Sequence, residues 1–493
     1  MKNLIIRYWT NVSENMGKPW IWALIFLLSA GFSTVSAQQK VADESGTFFL
    51  KDMQEIVLLN HPVIKQAGLL SKGAQARVIQ SLGNFDPAIM ASFSRKLFGG
   101  TEYYNHWNSE LKVPLWLAGA DLKVGYDRNV GVYNNPETRT SNTGLSAIGL
   151  SVPLGQGFLI DARRSTLRQA KIMVGYAEAE KVAQINTVWL TAIKDYWTWY
   201  FKAQQHQFMM EGVFLAEKRF KALREQVILG DKPPIDSVEA SITVQDRRVQ
   251  LQKAEVELNN SRLLLSNHLW NSEGEPMELP TKAKPENDWK NLQITNIPQL
   301  DSLVLVAAEV HPQVLKMRSE QAKLGVEEQY RRELLKPKLN LKGSFLAGRR
   351  DFGYVPDGYD FRLANYKVGI DFSFPLFLRE ERGKLREVRI QQAEVAYGLQ
   401  QTGREIQTGV VTAFNELKAY QGQLELQTRN LASQQILVKG ESQKFELGES
   451  NLFLINTRET KLIDMQIKRA EFFSDFQKAI AEVYYRAGKK IVY

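Results

Sequence analysis

The sequence predicts a mostly α-helical protein with a membrane β-barrel, in which long helical hairpins form a tunnel and the strands contribute to a barrel shared between copies of the chain. Three observations carry this prediction. Along residues 366–376, Tyr366, Val368, Ile370, Phe372, Phe374 and Leu376 are apolar, while Lys367, Gly369, Asp371 and Ser373 are not. Strict alternation of this kind makes a two-faced strand. Directly afterwards, the charged, Gln-rich run from Arg379 to Leu447 reads as one helix. At 1.5 Å per residue it is roughly 100 Å long, several times the usual length in a globular domain. The third observation is that this arrangement occurs twice.

The first copy opens with residues 47–67, apolar at helical spacing and broken by His61-Pro62, then a second amphipathic helix to about Leu82. Residues 298–318 repeat the pattern with His311-Pro312, 250 positions on, and Leu50 matches Leu300 at the same offset. A strand follows each: Asp86-Pro87 leads into Ile89, Ala91 and Phe93, and Lys336-Pro337 into Leu339, Leu341 and Phe345. The return strands end in Val152-Pro153-Leu154 and Phe374-Pro375-Leu376, now 222 positions apart, so the first copy holds 28 extra residues between its strands. Residues 104–133 supply them and alternate like a hairpin of their own around Ala118-Gly119-Ala120. The offset changes at turns and holds along helices, as in a duplicated structural unit. Each unit reads as short helix, strand, strand, very long helix, tight turn, helix.

The domains follow: residues 1–37 a signal peptide, 38–275 the first repeat, 276–298 a Pro-rich linker and 299–493 the second repeat. Lys2, Arg7 and Lys18 precede the apolar run Ile21 to Phe32 and the small-residue site Val35-Ser36-Ala37, the composition of a secretory signal. The run is short for a spanning anchor. No segment after Ala37 is long and apolar enough to span as a helix, so a membrane crossing has to be made by a closed barrel. Four main strands per chain are too few to close one, which calls for an oligomer.

Composition narrows the function further. The 63 basic residues are interleaved with 54 acidic ones, which describes a solvated helical surface and gives no nucleic-acid footprint. Cysteine is absent, which excludes disulfides, thiolate metal sites and a lipobox. The histidines His61, His106, His206, His268 and His311 are scattered, and there is no HExxH, Walker-A or GxSxG pattern. We therefore expect no enzyme, no cofactor and no metal.

Taken together, the ordered set resembles the TolC-like outer-membrane factor family over nearly all of the mature chain. The set comprises the duplication, His-Pro where that family usually has Asn-Pro, Val152-Pro153-Leu154-Gly155, Phe374-Pro375-Leu376-Phe377, Leu229-Gly230-Asp231 and Leu447-Gly448-Glu449. The resemblance implies a homotrimer in which each chain gives four strands to one twelve-stranded outer-membrane barrel and its helices to a periplasmic tunnel. It further implies an exit duct for efflux or type I secretion, whose helix-turn tips meet a periplasmic adaptor protein coupled to an inner-membrane pump. The tip residues would be Leu229, Gly230, Asp231, Asp236, Ala240, Leu447, Gly448, Glu449, Ser450 and Asn451. The second repeat departs from the family after its glycine, with Leu454 and Arg458 where the first has Asp236 and Ala240. Read without the resemblance, each glycine simply ends a helix in the left-handed conformation. Salt bridges between neighbouring helices would close the tunnel, but the sequence does not name them.

Several features keep two readings at this point. The cluster Trp189, Tyr196, Trp197, Trp199, Tyr200 and Phe201 is expected as core, because Tyr196 aligns with Phe414 in the other repeat; a ligand platform is the alternative. Trp107, Trp116, Tyr126 and Tyr133 fit either a membrane-interface girdle or an extracellular hairpin. Basic residues open both long helices: Arg163, Arg164, Arg168 and Lys171 in one, Arg379, Arg382, Lys384, Arg386 and Arg389 in the other. They oppose the helix dipole and either contact anionic head groups or form a solvated face. A secreted or periplasmic helical scaffold or filament without channel activity is the rival function. Uniform apolarity of one strand face over about nine to eleven residues separates the two.

Overall fold

The computed structural model describes residues 46–286, 299–348 and 364–489. The expected signal peptide and the end of the linker lie outside the described residues. Two helices open the first repeat, α1 (Leu50–Asn60) and α2 (Pro62–Leu82). Strands β1 (Ala88–Phe98), β2 (Thr101–Pro114), β3 (Asp121–Val130) and β4 (Leu145–Pro153) follow, then α3 (Ala162–Ile228) and α4 (Pro234–Ser266). The second repeat holds α5 (Leu300–Val310), α6 (Pro312–Glu333), β5 (Lys338–Gly348), β6 (Tyr366–Ser373), α7 (Arg379–Glu446) and α8 (Leu452–Arg486).

The His-Pro breaks are the same device used twice. His61 has φ −59° and ψ 127°, His311 φ −59° and ψ 129°, the extended conformation that a following proline favours. Each imidazole Nδ1 accepts the backbone N–H two residues on, Val63 or Gln313, at 3.2 Å. The histidine thus caps the new helix while proline fills its first turn, where a missing N–H costs nothing.

Helices α3 and α7 are the longest of the described helices, with 67 and 68 residues. Their return helices have only 33 and 35 residues, so each covers about half of its partner. The other half is covered by the short helices: on α3, Ser71 of α2 and Lys316 of α6 bond Glu178 and Glu180, whereas Lys202 and Gly212 meet Glu257 and Arg247 of α4. Where the two modes of cover meet, Trp189, Tyr196, Trp197, Trp199 and Tyr200 are buried with Phe48, Met53, Leu265 and Leu279. Tyr196 donates to the Phe48 carbonyl at 3.0 Å. The aromatic cluster is core apart from Phe201, which is half-buried beneath Lys202, and Phe414 packs against the corresponding core of the second repeat. The described part of the linker joins this core, with Thr47–Phe48 pairing in parallel with Lys284–Pro285.

The strands form one antiparallel sheet in chain order, β1-β2-β3-β4-β5-β6. Among the described residues the sheet thus holds the four main strands expected and, between them, the two strands of the hairpin expected at residues 104–133. The extra residues do not stand apart: β2 pairs with β1 along its length, β3 with β4, and β4 with β5 joins the two repeats. Register sets the faces. Ile89 and Phe93 of β1 lie opposite Leu111 and Trp107, which share their face with Val124 of β3, Ile148 of β4, Phe345 of β5 and Tyr366 of β6. Among the described residues, the outer edges of β1 and β6 carry no partner strand. No helix among the described residues is long and apolar enough to cross a membrane.

Candidate docking tips, latch and barrel base

Both tips are built alike. Gly230 has φ +83° and Gly448 φ +77°, the left-handed conformation that ends a helix without a Cβ clash. The N–H of Asp231 donates to the Gln226 carbonyl at 2.9 Å, and that of Glu449 to the Lys444 carbonyl at 2.8 Å. These are the six-to-one closures of a Schellman turn. The leucine before each glycine projects outward, Leu229 at 76% exposure and Leu447 at 75%. Ile228, Ile235 and Phe453 are exposed beside them, so each tip presents apolar surface rimmed by Asp231 or Glu449.

The remaining predicted tip residues divide by role. Asp236 lies in the first turn of α4, half-buried. Asn451 caps α8 by accepting the Leu454 N–H at 2.9 Å, and Ser450 donates to Glu441. Ala240 is a correction: at 4% exposure it packs with Leu223, Leu452 and Ile455, inside the seam between the two hairpins. Being small, it lets α4 approach its neighbours and is no part of the tip surface.

Above this seam lies a group that sequence reasoning missed. Arg219 of α3 forms a two-pronged ion pair with Glu459 of α8, with Nη1 2.8 Å from Oε2, and also donates to Asn456 Oδ1 at 3.0 Å. Arg247 of α4 gives Nη1 to the Gly212 carbonyl at 2.8 Å and places Nη2 3.7 Å from Glu459. Glu459 and Arg247 are only 7% and 6% exposed. Burial pulls the Arg247 pKa down, partly countered by the Glu459 charge. One buried carboxylate between two guanidiniums therefore ties the two hairpins together. No local signal marks it, because Arg219 and Glu459 are 240 positions apart.

At the base of the sheet, Asp161 caps α3 by accepting the Arg164 N–H at 2.9 Å. Arg163 donates to Asp121 Oδ1 at 2.7 Å and to the Gly119 carbonyl at 3.0 Å, and Arg164 donates to the carbonyl of Phe158 at 3.1 Å. Asp121 also meets Lys112 of β2 at 3.2 Å. Burial acts to raise the Asp161 pKa, and the hydrogen bonds and charges of Arg164 and Arg163 outweigh it, holding the carboxyl below its usual value. Arg163 thus serves the turn between β2 and β3, and Arg164 the loop between β4 and α3. In the other helix, Lys384 pairs with Glu380 and Arg389 with Glu328. Trp116 stacks on Phe85 at 4.2 Å beside this turn, whereas Tyr133 packs on Tyr103 at the far end of the sheet. Trp107 and Tyr126 lie on the apolar face between them.

Residues 304–460 match the family model described as outer membrane efflux protein. No curated protein sequence matches the chain. Among solved structures, the CmeC outer membrane channel of Campylobacter jejuni aligns over 89% of this chain and 85% of its own, at 15% identity and a TM-score of 0.58. The MtrE outer membrane channel of Neisseria gonorrhoeae, in its open state, aligns over 89% and 88% at 13% identity and a TM-score of 0.63. VceC, an outer membrane protein of Vibrio cholerae, aligns over 89% and 96% at 13% identity and a TM-score of 0.60.

The fold is therefore that of the outer-membrane channels with long helices. The resemblance to the TolC-like outer-membrane factors is borne out, by fold over about nine-tenths of the chain and by sequence over residues 304–460.

Proposed function

We propose that this protein is the outer-membrane exit duct of a tripartite efflux or type I secretion system in a Gram-negative bacterium. It acts as a passive homotrimer that receives substrates from an inner-membrane pump through a periplasmic adaptor. The observation that carries the reading is the continuity of a sheet with one apolar face into helices about 100 Å long. Lipid covers the apolar face, and unpaired strand edges in hydrocarbon require other copies to pair with them. The tips at Leu229 and Leu447 dock the adaptor, with Gly230, Asp231, Asp236, Gly448, Glu449, Ser450 and Asn451 shaping the surface. The Arg219–Glu459–Arg247 group holds the hairpins together in the closed state.

Membrane fractionation followed by the mass of the detergent-solubilised particle tests this. A trimer in the outer-membrane fraction is expected. A water-soluble monomer or filament would sink the proposal and leave a helical scaffold.

A further inference from the structure

We infer that β2 and β3 are pore-lining barrel strands, so that three copies close a barrel of eighteen strands, six from each chain, by pairing β6 of one copy with β1 of the next. This rests on the homotrimeric duct proposed above and concerns how wide that duct is and what lines it.

Four features of the added pair carry the inference. Its apolar residues, among them Leu111 and Val124, lie in register with the apolar face of the other four strands. Its opposite face is charged and internally paired, Lys123 with Glu110 at 2.8 Å and His106 with Asp127 at 2.7 Å. Apolar outside and polar inside is the division between lipid and lumen in a transmembrane barrel. The pair also spans the full height of the sheet, because its lower turn is bonded to the first turn of α3 through Arg163. It is held within the sheet on both sides, by β1 and by β4.

Closure follows from strand direction. Neighbours in the sheet are antiparallel throughout, so β6 runs opposite to β1. An even number of strands per chain lets β6 meet the next copy's β1 antiparallel, in a head-to-tail contact that closes as a ring. At ~4.8 Å between strands and a tilt of ~40°, eighteen strands make a circle about 36 Å across, against about 24 Å for twelve. The helices do not grow in step: β1, β4, β5 and β6 each join a helix, whereas β2 and β3 connect only to other strands. The added lumen wall carries the Lys123–Glu110 and His106–Asp127 pairs in three copies, a zone suited to bulky, hydrated cargo.

The chain has no cysteine, so single-cysteine variants read the faces without background. In outer-membrane vesicles opened to both sides, Asn108→Cys is expected to react with a bulky, charged maleimide, and Leu111→Cys to react at least tenfold more slowly. Equal labelling of the two would overturn the inference. Electron cryomicroscopy of the detergent-solubilised trimer supplies the strand count: eighteen supports the inference, and twelve with the pair outside the wall overturns it. Either overturning result leaves an outer-membrane trimer, and with it the duct, intact. Recovery as a soluble monomer would instead remove the duct reading and this inference together.

Discussion

Arg163 Nη1 donates to Asp121 Oδ1 across 2.7 Å, and this bond ties the first residue of a sheet strand to the first turn of a 67-residue helix. Asp161 and the Gly119 carbonyl share the same guanidinium. The expected dipole penalty of a basic helix start is met here by the Asp161 cap and by the partners that each arginine finds in the turns.

Arg163→Ala is expected to lower the stability of the assembled protein by about 2–3 kcal/mol, since it leaves Asp121 with Lys112 alone. Asp121→Ala costs a similar amount, and the double variant costs less than the sum of the two. Thermal unfolding of the three detergent-solubilised variants measures this. Strict additivity would mean that the pair is not coupled.

Glu459→Gln removes the one carboxylate that Arg219 and Arg247 share. Breaking a buried pair of this kind costs about 3 kcal/mol, and the cost falls on the contact between the hairpins. The tips are expected to separate, which raises single-channel conductance in planar bilayers. Arg219→Ala has the same sign. Conductance equal to wild type in both variants would remove the latch role.

Both His-Pro caps predict loss of stability in mild acid. Burial, with His268 nearby, lowers the His61 pKa below 6.5, and burial with Lys316 and Arg486 does the same for His311. A base whose folded pKa is depressed binds fewer protons folded than unfolded. Its stability is therefore full above pH 6.5 and is lost as pH falls below 6.5 toward the folded pKa. Protonation of Nδ1 also ends its role as acceptor for the Val63 and Gln313 N–H groups, worth about 1 kcal/mol for each cap. Asparagine caps without titrating, so the variant carrying His61→Asn and His311→Asn should unfold with a much flatter profile between pH 7 and pH 5. An unchanged slope would show that other groups titrate there.

Leu229→Asp and Leu447→Asp change side chains that are largely exposed, so stability is expected to move by less than about 0.5 kcal/mol. Adaptor recovered by affinity purification with the channel should fall at least tenfold. Undiminished recovery in the double variant would place the docking surface elsewhere.

Gly155→Ala tests the seam between the repeats. A Cβ there would lie 2.1 Å from the Pro337 carbonyl oxygen, a backbone atom held by the Gln156 N–H at 2.9 Å. Overpacking costs of this kind reach about 3 kcal/mol, and the yield of folded protein should drop. Gly343→Ala, on a strand with nothing within 4 Å of the added carbon, is the tolerated control.

Much of this architecture is local and was open to reading along the chain. The run from Arg379 to Leu447 is α7, ending at Glu446, because helical period and a terminal glycine act within a few residues. The His-Pro caps and the tips at Gly230 and Gly448 were legible for the same reason. So was burial of Tyr196, since its counterpart Phe414 sits in the same setting in a second copy of the unit.

Tertiary structure decided what depends on partners distant in sequence. Alternation in residues 104–133 signalled a hairpin, but a strand pattern has period two wherever the strand lies. Only pairing with β1 and β4 places that hairpin inside the sheet and makes six strands of four. Ala240 carries no mark of its side until α4 packs against α8. Arg219, Arg247 and Glu459 look like three more charges on solvated helices, and only burial turns them into a pair of guanidiniums around one carboxylate. The sequence by itself determined the elements and their duplication, because backbone hydrogen bonding and hydrophobic period are written over a few residues. The strand count, the latch and the anchored hairpin were decided by the fold, because each is a contact between side chains or strand edges that chain order does not bring together.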